Sequence, residues 1–301
     1  MTNKILAFAG SKQSGKTTSS NFIHGYQMRS YNVIENFNLT TKGELVITTE
    51  IIDPKGEKQS GHAILDTKRD DLEFGEWAVY NMWPYVKSYS FAGPLKNIAT
   101  GLFDIKEEVV RGTDIQKNSK IPITWQSMPG VVTCPKSAKT PEVKKLISKG
   151  VLTYHKPGRM TGREFLQFFG SEVCRKIYEE IWVSRLVKDV EAEGSLLAVI
   201  DDCRYGNEGE AIQNAGGKVI KLTRSNLKDS HKSENGFDED YTFDAVIDNQ
   251  NLSIQETNLE IIKTIDEWGW LGEPIPTQDA NKDSEQQPEL VGGIHKFRGS
   301  E

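Results

Sequence analysis

Length, composition and charge narrow the class of protein before any motif is considered. The chain has 301 residues, of which 37% are hydrophobic and 27% charged, and its net charge is −6 at pH 7. This composition is typical of a globular protein, and the negative charge gives no general basic surface for nucleic acid. Cys134, Cys174 and Cys203 are too few and too far apart for a disulfide framework, which favours the reducing cytoplasm. No apolar run is long enough to span a membrane.

The first third of the chain predicts two core strands with an insertion between them. Ile5–Ala9 is a continuous apolar run that fits a strand buried in a parallel sheet, and Lys16–Tyr26 fits the helix after it. Residues 36–85 differ in character. Leu45–Ile52 is rich in β-formers and precedes a turn, so we expect an inserted β-hairpin. Val86–Phe91 predicts the next core strand, and a Gly-Pro pair then starts a helix.

The remainder of the chain alternates helices and short apolar strands. Residues 112–157 are polar and rich in proline, which predicts an irregular insertion with one helix at Pro141–Lys149. Thr161–Val190 is strongly helical and opens with a capping box of Thr161 and Glu164. The further elements that we predict are strands at Leu196–Ile200, Lys218–Leu222 and Ala245–Ile247 and helices at Glu208–Ala215 and Ile254–Trp268. This alternation predicts an α/β fold, a five-stranded parallel sheet with helices on both faces.

Two polar segments lie near the end of this pattern. Residues 225–242 are polar and charged and follow a strand, a pattern that fits a short lid with His231 and Glu234 and a plain surface loop equally well. The segment 272–301 is rich in Pro, Gln, Asp and Glu, which predicts a disordered tail. The predicted core therefore extends over residues 1–271.

The loop after the first strand carries the clearest chemical signal. The motif consists of Gly10, Ser11, Lys12, Gln13, Ser14, Gly15, Lys16 and Thr17, with Thr18 directly after it. A strand before it and a helix after it give the context that the Walker A pattern requires. Glycines let the backbone N–H groups approach a triphosphate such as ATP, which Lys16 would contact through its β- and γ-phosphates. The Thr17 hydroxyl would then bind Mg²⁺.

A second signal lies at the end of the strand near residue 200. Asp201 and Asp202 follow the apolar run, where a carboxylate that binds Mg²⁺ or its waters belongs. We favour Asp202, because it would share a strand face with Arg204, which could then bind phosphate. An alternative interpretation is that the two acids simply end a strand in solvent.

Other candidate residues are scattered over three segments. Arg163 and Gln167 lie one turn apart on the helix after residue 160, and Arg175 lies near its end; a cleft or a solvated face explains this stripe equally well. Lys96 starts the helix after the second strand. Arg224 ends a strand just before the predicted lid.

Taken together, these motifs resemble those of a known family. They are the Walker A loop, Phe91–Lys96, Gly162–Gly170, Asp202–Arg204, Thr223–Arg224 with His231–Glu234, and Asp244–Asn249. Their order is similar to that of the phage deoxynucleoside monophosphate kinases, relatives of the adenylate kinase group. The similarity extends over about residues 3–26, 86–104 and 158–268 and leaves out the two insertions and the tail.

The resemblance implies a P-loop NTPase fold of the nucleoside monophosphate kinase type, which uses ATP and Mg²⁺ to convert a deoxynucleoside monophosphate into its diphosphate. Arg163, Gln167, Arg175 and Lys96 would then face the acceptor, Arg204 would lie near the phosphates and Arg224 near the donor or lid. A kinase of this type would act on nucleotides in the cytoplasm of the host cell and would bind neither nucleic acid nor a membrane. Whether it forms a homodimer is left open.

Other classes of P-loop protein remain as alternatives. Another small-molecule kinase, such as a dephospho-coenzyme A kinase, is the nearest, followed by a DNA-stimulated ATPase and a nucleotide-sensing module. A GTPase would need a guanine-reading motif late in the chain. Thr67–Asp70 has suitable letters but lies in the first insertion, and we interpret it as a coincidence.

Overall fold

The computed structural model describes residues 4–270 with the exception of 53–57, 70, 225–236 and 238–239. Most of the predicted lid, including His231 and Glu234, lies outside the described residues. The predicted tail at 272–301 lies outside them as well.

The described residues form short strands and helices in alternation. The strands are β1 Lys4–Ala9, β2 Asn36–Leu39, β3 Leu45–Ile52, β4 Lys58–Leu65, β5 Lys87–Tyr89, β6 Lys120–Thr124, β7 Val131–Val132, β8 Thr153–Tyr154, β9 Arg159–Thr161, β10 Leu197–Cys203, β11 Lys218–Leu222 and β12 Ala245–Ile247. The helices are α1 Lys16–Ser30, α2 Leu72–Asn81, α3 Gly93–Gly101, α4 Glu107–Arg111, α5 Asp114–Lys117, α6 Pro135–Ala138, α7 Pro141–Ser148, α8 Gly162–Phe168, α9 Arg175–Ile177, α10 Ile181–Glu193, α11 Gly206–Asn214 and α12 Ile254–Glu267. Within this part of the chain, no helix has both the length and the apolar character needed to cross a bilayer.

The central sheet has five parallel strands in the order β12-β11-β1-β10-β5. The predicted sheet is thereby confirmed, and β11 and β12 have the predicted bounds. Helices cover both faces, because alternate residues of each strand enter different hydrophobic cores. Leu6 and Phe8 of β1 pack with residues of α1 and α12, whereas Ile5 and Ala7 pack with residues of α10 and α11.

The insertion at residues 36–85 is larger than the predicted hairpin. β3 and β4 pair as that hairpin, but β2 adds a third antiparallel strand and α2 follows as a helix. Asp71 caps α2 by accepting a hydrogen bond from the N–H of Phe74. Leu45 and Ile47 are buried in the same core as α1. The insertion is thus packed onto the kinase-like core and continuous with it.

The second insertion, residues 112–157, packs against α8. It contains the predicted helix, as α7, and the two-stranded sheet of β7 and β8, while its strand β6 pairs with β9 just after the insertion. Ile121 and Trp125 of this insertion pack with Met160 and Phe165 in a third hydrophobic core. The capping box at the start of α8 is present as predicted, and a π-helical turn joins α8 to α9. The predicted continuous helix over Thr161–Val190 is interrupted between α9 and α10.

Candidate active site

The loop between β1 and α1 adopts a tight backbone conformation that requires glycine at two positions. Gly10 and Gly15 have φ angles of 139° and 103°, in the region that favours glycine. A Cβ on Gly10 would lie only 2.5 Å from the carbonyl oxygen of Leu222, at the end of β11. The loop therefore passes this strand closely because glycine stands at that position.

Lys16 lies inside the curve of the loop. Its Nζ donates to the carbonyl oxygens of Gly10 and Ser11, both at 2.7 Å. The loop leads directly into α1, and the first N–H groups of a helix have no partner within that helix, so they favour an anion. Thr18 packs tightly against Gly43, in the turn between β2 and β3. This residue therefore joins the loop to the first insertion.

Asp201, at the end of β10, is the acid that contacts the start of α1. Its Oδ2 accepts a hydrogen bond from Thr17 Oγ1 at 2.7 Å and lies 2.5 Å from Nζ of Lys68. Burial would raise the pKa of Asp201, but the Lys68 ammonium and the Thr17 hydroxyl outweigh burial, and the pKa is lowered. The buried carboxylate is therefore held in its ionised form.

Asp202 lies on the opposite side of the strand from Asp201. Its carboxylate accepts hydrogen bonds from Ser90 Oγ at 2.6 Å and from the backbone N–H groups of Phe91 and Ala92 at 3.2 and 3.3 Å. These contacts fasten the loop that leads from β5 into α3. The sequence favoured Asp202 as the acid that binds the metal, but in the structure Asp202 binds this loop, and Asp201 is the acid that contacts Thr17.

The alternation of side chains along β10 explains this difference. Leu197 and Val199 are buried in the core that contains α1, so Asp201 continues the same face and reaches Thr17. The sequence does not tell which strand face α1 covers. The contact favours Asp201 over Asp202 as the metal acid, and the metal assignment itself stays a prediction.

Arg175 and Arg204 both meet the buried Glu208. Arg175 Nη2 donates to Glu208 Oε1 at 2.8 Å, and its guanidinium lies 4.7 Å from the ring centroid of Tyr205. Glu208 Oε2 accepts from the N–H groups of Arg204 and Tyr205 at 2.8 and 3.2 Å, while the Arg204 side chain is exposed. Burial raises the pKa of Glu208 to about 7, with a contribution from the charge of Asp202 that the Arg204 N–H and the Arg175 charge oppose. Arg175 therefore serves first as an ion-pair partner.

Asp114 of α5 connects the first loop with α8. Its Oδ1 lies 2.5 Å from Arg163 Nη2, and its Oδ2 lies 3.8 Å from Nζ of Lys12. Gln167, one turn after Arg163, is exposed. The second insertion thus joins the glycine-rich loop to the predicted acceptor helix, and we call the space between these two elements the cleft.

A cluster of cationic side chains lies on the α3 and α5 side of this cleft. Burial lowers the pKa of Lys96. The charge of Asp202 opposes this lowering, and the charges of Lys117, Arg111 and Lys68 add to it. Burial likewise lowers the pKa of Lys117, where the charge of Asp114 opposes the lowering and the charges of Arg163, Lys68 and Arg204 add to it. Cations that lower one another's pKa in this way favour a ligand with several negative charges.

Comparison with known proteins adds to this geometry. The sequence model of the deoxynucleotide monophosphate kinase family matches residues 85–260. The chain belongs to this family. A protein of Acanthamoeba polyphaga mimivirus named "Putative deoxynucleotide monophosphate kinase" is 26% identical over 192 residues, which are 59% of this chain and 81% of that protein.

Membership of the deoxynucleotide monophosphate kinase family makes the protein a phosphotransferase, a nucleoside-phosphate kinase. The matched residues include β5, α3, α8, β10 and β11, with Lys96 on α3, Arg163 on α8 and Arg204 directly after β10. The glycine-rich loop and the first insertion, with Lys68, precede the matched residues.

The side chain of Arg224 binds backbone carbonyl groups of this kinase, whereas the sequence predicted a contact with the donor nucleotide. Its guanidinium donates to the carbonyl oxygens of Asn249, at 2.9 and 3.0 Å, and of Leu252. Its carbonyl oxygen accepts from Ser11 Oγ at 3.0 Å. Arg224 therefore links the loop after β12 to the glycine-rich loop. Contact with ATP stays a prediction.

Three cations of the site escaped the sequence analysis: Lys68, Arg111 and Lys117. None belongs to a motif, and two of them lie in the insertions. At Lys68 the sequence offered only the letters of a guanine-reading motif, which we set aside. Their position depends on how each insertion packs on the core, which a local pattern does not encode.

Proposed function

We propose that this kinase transfers the γ-phosphate of ATP to a deoxynucleoside monophosphate, in a reaction that depends on Mg²⁺ and yields ADP and a deoxynucleoside diphosphate. The observation that carries the proposal is the presence of two complementary groups at one cleft. One is the glycine-rich loop with the Thr17–Asp201 pair, and the other is the cationic cluster around Lys96 and Lys117.

The donor side would be formed by Gly10–Thr17. Its backbone N–H groups and the start of α1 suit the β- and γ-phosphates. Lys16, now on the carbonyl oxygens of Gly10 and Ser11, has a flexible stem that could turn its ammonium to phosphate oxygens. Ser11, Lys12, Gln13, Ser14, Gly15 and Arg224 stay predicted members of this side.

The residues present fit a magnesium ion. Thr17 Oγ1 and Asp201 Oδ2 are 2.7 Å apart, and hydroxyl and carboxylate oxygens are the ligands that Mg²⁺ accepts. No group of three or more His, Cys, Asp or Glu suited to a metal occurs among the described residues, and Mg²⁺ in kinases needs few protein ligands beside phosphates and water. When bound, the ion would neutralise charge on the β- and γ-phosphates.

The acceptor side would be formed by the cations across the cleft. Lys96, Lys117 and Arg204 suit the phosphate of the monophosphate, and Arg163 and Gln167 of α8 suit its sugar and base. Arg175 would act on the acceptor indirectly, through Glu208. These assignments rest on the position of each side chain.

Chemically, an oxygen of the acceptor phosphate attacks the γ-phosphorus, and the bond from that phosphorus to the β–γ bridging oxygen breaks. The acceptor phosphate is ionised at neutral pH, so no general base is required. The protein accelerates the step by aligning the two nucleotides and by placing Lys16 and the cleft cations beside the developing charge.

In the cell, we propose that the partners are ATP and a deoxynucleoside monophosphate. The host cytoplasm is the expected compartment, consistent with a viral relative. Formation of a homodimer stays a prediction.

A direct assay tests the proposed function. The protein is incubated with ATP, Mg²⁺ and each of the four deoxynucleoside monophosphates in turn, and diphosphate formation is followed by ion-exchange chromatography. We expect turnover of at least one monophosphate. Absence of turnover with all four, together with phosphorylation of dephospho-coenzyme A or DNA-stimulated ATP hydrolysis, would contradict the proposal.

Lys16→Ala is the matched inactive variant for this assay. Loss of one cation at the transferring phosphate should lower kcat by about 10²-fold or more. Thermal unfolding of the variant should stay close to wild type, because the Lys16 ammonium donates to carbonyl oxygens of its own loop, those of Gly10 and Ser11. Lys42→Met, an exposed lysine of the first insertion, should keep full activity.

A further inference from the structure

The side chain of Lys68 has no role in the function proposed above, on which the following inference rests. We propose that Lys68, supplied by the first insertion, is an additional catalytic residue that alternates between Asp201 and the oxygens of the transferring phosphate. It would give the 36–85 insertion a direct part in catalysis.

The turn that carries Lys68 is built into the core. Lys68 N donates to Asp66 Oδ1 at 3.0 Å, and Arg69 N donates to the Asp66 carbonyl oxygen at 3.3 Å. These two bonds form a tight turn directly after β4. The backbone of Lys68 is thus fixed, and its freedom lies in the side chain.

Thr67 fastens this turn to two core elements. It is buried, and its hydroxyl lies 3.4 Å from Asn21 Oδ1 of α1 and 3.4 Å from Ser88 Oγ of β5. Ser88 Oγ in turn lies 3.1 Å from Nε2 of the buried His24. This hydrogen-bond network joins the insertion to α1 and β5 and keeps the backbone of Lys68 beside the end of β10.

Lys68 interacts with groups on both sides of the cleft. Its Nζ is 2.5 Å from Asp201, on the side of Thr17, and its charge lowers the pKa of both Lys96 and Lys117 on the other side. A phosphoryl group that moves from one nucleotide to the other must pass between these groups. Lys68 is therefore within reach of that path.

The contact between Lys68 and Asp201 also competes with a metal. Lys68 and Thr17 meet the same oxygen, Oδ2, so a divalent cation at this oxygen would stand against the Lys68 ammonium. Asp201 is 4% exposed, whereas Lys68 is 43% exposed and has a flexible stem. Lys68 is thus the partner that can move, and the transferring phosphate would offer it a new anionic partner.

The test uses three variants of the full chain: Lys68→Met, Lys68→Arg and Lys42→Met as the control from the same insertion. Two quantities are measured. The first is kcat with saturating ATP and Mg²⁺ and the monophosphate that the wild type turns over fastest. The second is the affinity for Mn²⁺ without nucleotide, from the electron paramagnetic resonance signal of free Mn²⁺.

We expect Lys68→Met to lower kcat by about 10²-fold, the effect of removing one group that stabilises transition-state charge. The same variant should bind Mn²⁺ about tenfold more tightly, because a competing cation at Asp201 is gone. Lys68→Arg keeps the charge and should recover part of kcat, and Lys42→Met should match the wild type in both measurements.

Unchanged kcat in Lys68→Met would overturn the proposal and leave Lys68 as a structural ion pair. Unchanged Mn²⁺ affinity with lowered kcat would overturn the exchange at Asp201. If the proposed function is wrong, the wild type itself will turn over no monophosphate. The Mn²⁺ measurement would then still test the contact between Lys68 and Asp201.

Discussion

Asn249 Nδ2 donates a hydrogen bond to the carbonyl oxygen of Ser14 at 2.9 Å and thereby fastens the loop after β12 to the glycine-rich loop. The amide of Asn249 is completely buried, and its Oδ1 accepts from the N–H of Arg224 at 2.8 Å. Both ends of the amide are thus used, which fixes the conformation of the glycine-rich loop from outside. Asn249 is a positioning residue for the donor site.

Asn249→Ala should therefore weaken donor binding and stability together. Two backbone groups, the O of the buried Ser14 and the N–H of the half-buried Arg224, would lose this partner, at a cost of about 1–3 kcal/mol in the free energy of unfolding. We expect KM for ATP to rise more than KM for the monophosphate. Urea unfolding and steady-state kinetics measure the two effects. Asn251→Ala, an exposed neighbour, should change neither, and an equal rise in both KM values would refute a donor-side role.

Asp201 and Asp202 should give different kinetic defects although they are adjacent. Asp201→Asn removes charge at the proposed metal position and should lower kcat by about 10²-fold or more. Asp202→Asn weakens the hold on Ser90 and on the start of α3, which carries Lys96. It should therefore raise KM for the monophosphate more than it lowers kcat.

Steady-state kinetics with each substrate varied in turn distinguishes the two acids. Ser90→Ala should reproduce the Asp202→Asn defect in weaker form, since it removes one of the three bonds to that carboxylate. The reverse pattern, with the larger loss of kcat in Asp202→Asn, would restore the assignment first drawn from the sequence.

The sequence predicted the central fold well because the signals were local. Four of the five strands of the parallel sheet are short, mainly apolar runs next to Gly or Asp, and β11 and β12 match the prediction residue for residue. β2 and α2 were missed. β2 is a four-residue strand, Asn36–Leu39, with alternate polar residues, and its pairing with β3 is a tertiary contact.

The candidate site was predicted in part for a related reason. Motif positions such as Lys16 and Thr17 follow from the strand–loop–helix context. The choice between Asp201 and Asp202 depends on which strand face α1 covers, and Lys68 reaches the site only because Thr67 packs on α1 and β5. Neither relationship has a signature within a few residues of sequence.

Glu208 should make stability fall as pH rises through neutrality. Its pKa of about 7 in the folded protein lies above the ordinary value of 4.5, so the folded state binds its proton more tightly than the unfolded state. The resulting stabilisation is complete below about pH 4.5 and is lost as pH rises through about 7. A shift of this size corresponds to about 3 kcal/mol.

Glu208→Gln isolates this effect, because the amide does not titrate. The free energy of unfolding of the wild type, measured with urea from pH 5 to 8, should decrease relative to that of the variant as pH rises. Glu210→Gln, at an exposed position of the same helix, serves as the control and should run parallel to the wild type. A constant difference between wild type and Glu208→Gln would mean that the Arg175 charge keeps Glu208 ionised throughout this range.

Arg163 and Asp114 should act as a pair on the acceptor side. Arg163→Ala removes a cation from the cleft and should raise KM for the monophosphate by roughly tenfold, the effect of one charge-assisted hydrogen bond of about 1.5 kcal/mol, with less effect on ATP. Asp114→Ala removes the carboxylate that holds Arg163 and lies near Lys12. The exposed ion pair itself contributes little to stability, so thermal unfolding should hardly change.

Double-mutant kinetics measures the coupling between Arg163 and Asp114. If Asp114 acts through Arg163, its substitution should have no further effect on KM for the monophosphate in the Arg163→Ala background. Additive effects would separate the two residues, and an equal loss of ATP and monophosphate binding in Arg163→Ala would remove Arg163 from the acceptor side.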